Sequence, residues 1–117
     1  MRKLGVAVVV GLALVLTGCS GSTTYSSAEA LADAFVEAGG ECPTPQVIDE
    51  SMLGEGAQGV LCQESATFLT VFDSADAKDR YLAETGDSQL VRFGGNHWIA
   101  AGQDESILGK LGGSRIN

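Results

Sequence analysis

Glycine punctuation constrains this chain more than any other feature. Gly39-Gly40, Gly86, Gly94-Gly95-Asn96 and Gly112-Gly113 divide everything after the first helix into short segments. Glycine tolerates the left-handed backbone of helix ends and tight turns and weakens element interiors, so such a chain is built from short helices and hairpins. Ser26 followed by Glu29 has capping-box spacing, and Ala28, Leu31, Ala32, Phe35 and Val36 repeat at helical intervals until Gly39, which predicts a helix over 27–38. Pro43 and Pro45 then hold the chain extended, Val47 and Ile48 read as a short edge strand, and 49–57 reads as an acidic, glycine-bearing loop.

Residues 59–63 and 66–72 are rich in β-branched and aromatic side chains, and the short Glu64-Ser65 connection predicts an antiparallel hairpin. Phe68, Thr70 and Phe72 share one face of the second strand; Thr67, Leu69 and Val71 share the other. Asp73 and Ser74 are N-cap candidates for a helix from 75 to 84, with Ala77, Tyr81 and Leu82 as its apolar stripe. Residues 89–93 and 97–101 flank Gly94-Gly95-Asn96 as a second hairpin. Asp104 caps a last helix that carries Ile107, Leu108 and Leu111, with Lys110 near its end. The order αββαββα predicts one α+β domain over 27–117, a small antiparallel sheet of two hairpins with helices packed on one face. Its repetition suggests a loose duplication of an αββ unit.

The N-terminus is of another kind. Arg2 and Lys3 precede an uncharged run from Leu4 to Leu16, which is signal-peptide length and shorter than the roughly 20 residues of a membrane-spanning helix. Leu16-Thr17-Gly18 then leads into Cys19. This resembles the lipobox of bacterial lipoproteins. The resemblance implies that residues 1–18 are removed as a lipoprotein signal peptide and that the Cys19 thiol takes a diacylglyceryl group. Residues 19–26 would then form a lipidated end and polar tether, placing the domain on the extracytoplasmic side of the cell membrane with membrane lipid as its first partner. Each buried CH₂ contributes about 0.8 kcal/mol, so two acyl chains hold firmly where one holds marginally.

With the lipobox, the Gly-Gly ending followed by Cys42, the stretch Phe68 to Ser74, the Gly95-Asn96-His97-Trp98 segment and the closing Leu111-Gly112-Gly113, the layout looks like the small, poorly characterised lipoproteins of actinobacteria. If Cys19 carries lipid, Cys42 and Cys62 are left as a pair in an oxidising compartment, which reads as a structural disulfide. The alternative, a redox dithiol, lacks C-x-x-C spacing.

The formal charge is −8, and loss of Arg2 and Lys3 with the leader makes it two units more negative. That balance argues against nucleic acid, which needs clustered Lys and Arg. No motif calls for a metal or cofactor. Gly54-Glu55-Gly56-Ala57-Gln58-Gly59 matches G-x-G-x-x-G in form only, since a dinucleotide site needs a strand before it and a helix after it. His97 is the only histidine and reads as a surface or packing residue. Asp73, Asp76 and Asp79 fall on one side of a helix start, where Asp76 can pair with Arg80 and Arg80 with Glu84. Glu41, Asp49, Glu50 and Glu55 read as a solvated acidic loop.

Trp98 and Tyr81 are the candidate interface residues, weighed against core packing in a chain poor in aromatics. The function expected is a non-enzymatic, membrane-anchored binding or interaction module with an envelope protein or component as partner. The alternatives are a small cell-wall hydrolase using a carboxylate pair, and a small-ligand carrier with an apolar pocket bordered by Trp98 and Phe93.

Overall fold

The structure, a computed structural model, describes residues 23–117. The leader, the Cys19 site and residues 19–22 of the tether lie outside the described residues. The chain runs α1 (Ala28–Glu37), β1 (Gln46–Ile48), α2 (Glu50–Leu53), β2 (Ala57–Cys62), β3 (Thr67–Phe72), α3 (Ala75–Thr85), β4 (Val91–Gly94), β5 (Trp98–Gly102), α4 (Glu105–Leu108) and β6 (Ser114–Arg115). The six strands form one antiparallel sheet of order β1-β2-β3-β5-β4-β6, so the fold is α+β as expected. None of the described helices is long and apolar enough to cross a membrane.

Both expected hairpins form, and they join through their second strands, with Leu69 opposite Ala100 and Val71 opposite Trp98. The Glu64-Ser65 link is a 3₁₀ turn over Gln63–Ser65, closed by Ala66 at φ 52°. At the start of α1 the cap is Ser27, not Ser26: the Ser27 hydroxyl accepts from the Ala30 N–H at 3.1 Å. With Ala28 buried as the first helical residue, Ser27 is the last extended residue before the helix, at φ −156°, and so takes the cap position. Gly39, at φ 113°, ends the helix in the left-handed backbone that glycine accepts at little cost.

The segment read as loop over 49–57 contains the single turn α2, which Asp49 caps through Ser51. The signal for it was one acidic cap before four residues, too little for periodicity to register. Strand β6 was also missed, since two polar residues carry no alternation.

Pleat alternation sorts the sheet residues into two faces. Val60, Cys62, Leu69, Trp98 and Ala100 face α1, whose Ala28, Leu31, Ala32 and Phe35 form the main core with them, joined by Leu108 and Leu111. Ala57, Phe72 and Ile99 face the other way and pack against Ala77 of α3, flanked by Leu53, Tyr81 and Leu82. The expectation that helices cover one face therefore holds for α1 and α4, while α3 and α2 cover part of the second. Phe68, Thr70 and Phe72 supply the reason: β3 is apolar on both sides, and both need cover. The loose duplication fails on the same ground, because a two-fold axis through the sheet between β3 and β5 would leave α1 and α3 on one face.

Cys42 and Cys62 are bonded, with Cα atoms 4.8 Å apart, and tie the exit of α1 to the end of β2. Arg92 is a buried cation, 7% exposed. Its Nη2 donates to the Gly86 carbonyl at 2.9 Å, its Nη1 to the Thr85 hydroxyl at 3.3 Å and its Nε to Asn117 Oδ1 at 2.5 Å. All three acceptors are neutral, and through them the guanidinium clamps the end of α3 and residue 117 to the sheet.

Candidate binding groove

The two ends of β5 lead to different surroundings. At its start, Trp98 is fully buried, and its indole N–H donates 2.7 Å to the carbonyl of Thr23. The Tyr25 ring meets the indole edge to face, centroids 5.3 Å apart, and the Tyr25 hydroxyl donates 2.5 Å to the Leu111 carbonyl. Burial raises the Tyr25 pKa from its ordinary value of 10.0. Gly95 and Gly113 lie so close against the indole that a methyl group at either would collide with it. The N-terminal segment is thus docked from Thr23 onward, within the stretch read as tether to residue 26.

At the far end of β5 the chain leaves Gly102 for Gln103 and the start of α4, and a groove of about 620 Å³ opens there. Phe35 and Ile107 give it an apolar floor, Gly39 and Gly40 form one wall, and Asp104 and Ser65 edge it with oxygens. Gly40 abuts the Cζ end of the Phe35 ring, where a side chain would not fit. Asp104 Oδ1 accepts from the Ser106 hydroxyl at 2.7 Å and from the Ile107 N–H at 3.3 Å. The hydroxyl bond first, and the backbone N–H bonds with it, hold this carboxyl below its ordinary 3.8. Asp104 is therefore a helix cap whose charge also faces the groove.

No family model, curated protein or solved structure matches this chain. The site is accordingly read from its own residues. Neither interface candidate lines the groove. Trp98 is core, enclosed by Tyr25, Gly95 and Gly113, so it offers a partner no surface. Tyr81 is half-buried on the second face, its ring 5.4 Å from that of Phe72. Burial raises its phenol pKa, against the opposing effects of the Thr70 side chain and the Arg92 charge.

His97 is exposed in the β4–β5 turn, and its carbonyl accepts from the Phe72 N–H at 2.7 Å. The glycine motif runs from the end of α2 into the first half of β2, the reverse of a dinucleotide site. Arg80 donates 2.7 Å to the Glu55 carbonyl, while the ion pair present among the described residues joins Arg115 to Glu105 at 2.7 Å. The expected Asp76–Arg80 and Arg80–Glu84 pairs are replaced because the Glu55 carbonyl lies across the helix surface within reach.

Glu50 and Asp73 share a second, smaller hollow of about 240 Å³ with Ser26 and Gln58. Glu50 Oε2 accepts 3.1 Å from the Gly56 N–H, and Asp73 stands against the same glycine. The hollow is below the roughly 300–1,000 Å³ of ordinary ligand sites. Among the described residues, no group of three or more His, Cys, Asp or Glu is placed to hold a metal ion.

Sequence reasoning missed the groove because its floor and edge come from residues far apart in the chain, Phe35, Ser65 and Asp104–Ile107. The one local signal is the Asp104 cap, which by itself marks only the start of α4.

Proposed function

We propose that this chain is a lipid-anchored envelope protein, held by Cys19, whose domain binds a partner protein or envelope component without catalysis. The observation that carries the binding role is the groove beyond Gly102, which has ligand-site volume and an apolar floor of Phe35 and Ile107 under a polar edge. The Ser106 and Ile107 bonds that tie Asp104 Oδ1 into the α4 cap hold the carboxyl below its ordinary pKa, which suits a charged recognition surface better than a general acid. The lipobox spacing supports the anchor, and the docking of Thr23 and Tyr25 supports a domain that begins only a few residues beyond it.

Two measurements test the proposal. Mass spectrometry of the membrane-extracted protein is expected to find a diacylglyceryl group on an N-terminal Cys19, with Cys19→Ala released into the medium; wild-type protein free in the medium refutes the anchor. A photo-cross-linker placed at Gln103 in intact cells is expected to capture a reproducible adduct that the same label at Asp87 does not; equal or absent capture refutes the groove.

A second reading, a small wall hydrolase, rests on the Glu50 and Asp73 pair. It requires turnover of wall fragments that disappears in Glu50→Gln.

A further inference from the structure

The docked N-terminal segment and the groove lie at opposite ends of β5, and this has a consequence for how an anchored molecule stands on the bilayer. Thr23 is fixed to Trp98 at the start of the strand, and the groove begins after Gly102 at its end. At ~3.4 Å per residue, the strand separates the two by about 14 Å before the depth of the groove is added. Only Ser20, Gly21 and Ser22 stand between Cys19 and Thr23, so the two α-carbons can be at most about 14 Å apart. Because the tether is attached at the Trp98 end, that end meets the lipid first, with the groove about 14 Å farther along the strand.

Resting on the anchor reading above, we infer that the end of the domain formed by Thr23, the Gly95–His97 turn and Gly112–Ser114 is a lipid-facing surface, and that the groove is presented away from the membrane. The attachment point itself does not swivel freely. Thr23 is hydrogen-bonded to the indole, Tyr25 is bonded to Leu111 two residues later, and Gly112 packs against the Thr23 side chain. The lipid-facing end presents the side chains of Thr23, Thr24, Asn96, His97 and Ser114, with the Lys78 ammonium behind them on the Gly95 carbonyl and the exposed Asp73 carboxylate beside the turn, next to Phe72, whose N–H donates to the His97 carbonyl. The occupant of the groove is then a molecule that approaches from the wall or the extracellular side, not a membrane lipid.

The test uses the lipidated protein, extracted from native membranes and reconstituted into vesicles of phosphatidylethanolamine and phosphatidylglycerol with a nitroxide on the headgroup. A fluorophore is placed by Asn96→Cys or Gln103→Cys, both exposed positions. Strong quenching at 96 and little at 103 is expected. A twelve-residue Gly-Ser insertion after Gly21, with a coil dimension of about 20 Å, is expected to erase the contrast. Equal quenching at the two sites in the uninserted protein, or a contrast that survives the insertion, overturns the orientation while leaving the anchor standing. Protein that does not float with the vesicles at all overturns the anchor and the orientation with it.

Discussion

Tyr25 is where the docked segment can be tested one interaction at a time. In Tyr25→Phe the ring stays against Trp98 and only the hydroxyl bond to the Leu111 carbonyl goes, for which a net cost of about 1 kcal/mol is expected. Tyr25→Ala removes the ring as well. An edge-to-face pair contributes about 0.5–1.5 kcal/mol beyond its area, and half of a tyrosine's ~200 Å² adds about 2.5 kcal/mol at 25 cal/mol per Å². Releasing the segment recovers about 1–2 kcal/mol of backbone entropy, so the net loss is about 3 kcal/mol.

Trp98, the only tryptophan, reports both variants directly. Urea unfolding followed by its fluorescence is expected to show the midpoint falling in the order wild type, Phe, Ala. The native emission should shift red in Tyr25→Ala alone, as water reaches an indole that is now sealed. In the wild type the hydroxyl's contribution also carries a pH signature. Burial raises the folded pKa above 10.0, so the contribution is complete below that value and is lost as pH rises through the folded pKa. A Tyr25→Ala protein within about 0.3 kcal/mol of wild type, with unmoved emission, would refute the docking and the orientation argued from it.

Reducing the Cys42–Cys62 bond, or replacing both residues with Ala, frees a loop with a sequence separation of 20 and is expected to cost about 3 kcal/mol, read as a Tm lower by about 12–24 °C in calorimetry; an unchanged Tm contradicts this. Arg92→Lys keeps the charge but cannot reach Gly86, Thr85 and Asn117 together, so a loss of about 2 kcal/mol is expected in urea titration, with equal stability as the refuting result. Asp104→Asn should be less stable than wild type at neutral pH, with the difference shrinking as pH falls below 3.8 and through the lower folded pKa; a gap independent of pH rules out the charged cap.

What the sequence made legible was local and periodic. The Phe35 face of α1, the two hairpins and the caps at Ser74 and Asp104 follow from spacing within a few residues, and the structure has all of them. The layering was not legible, because the alternation in β3 shows that both faces are apolar without saying which helix covers which. Trp98 was ambiguous for the same reason. Its burial depends on Tyr25 and Leu111, which lie more than seventy and more than ten positions away and which no window around residue 98 contains. The groove depends on Gly40 meeting the tip of the Phe35 ring while Asp104 approaches from the other end of the chain, and no motif encodes that meeting.

The bonds that hold the N-terminal segment span sequence separations of 75 and 86, the longest side-chain connections in the described fold. A chain emerging N-terminus first therefore makes Thr23 and Tyr25 early and their partners late. Long-range contacts of this kind form slowly, and Tyr25 has no carbonyl to bond until Leu111 has appeared. Through most of its emergence the start of the domain stays an open segment, because its partners have not yet been made. Completion of Leu111 and Gly112 closes that interval, so the last turn of the domain acts as the lock on its first strand of chain.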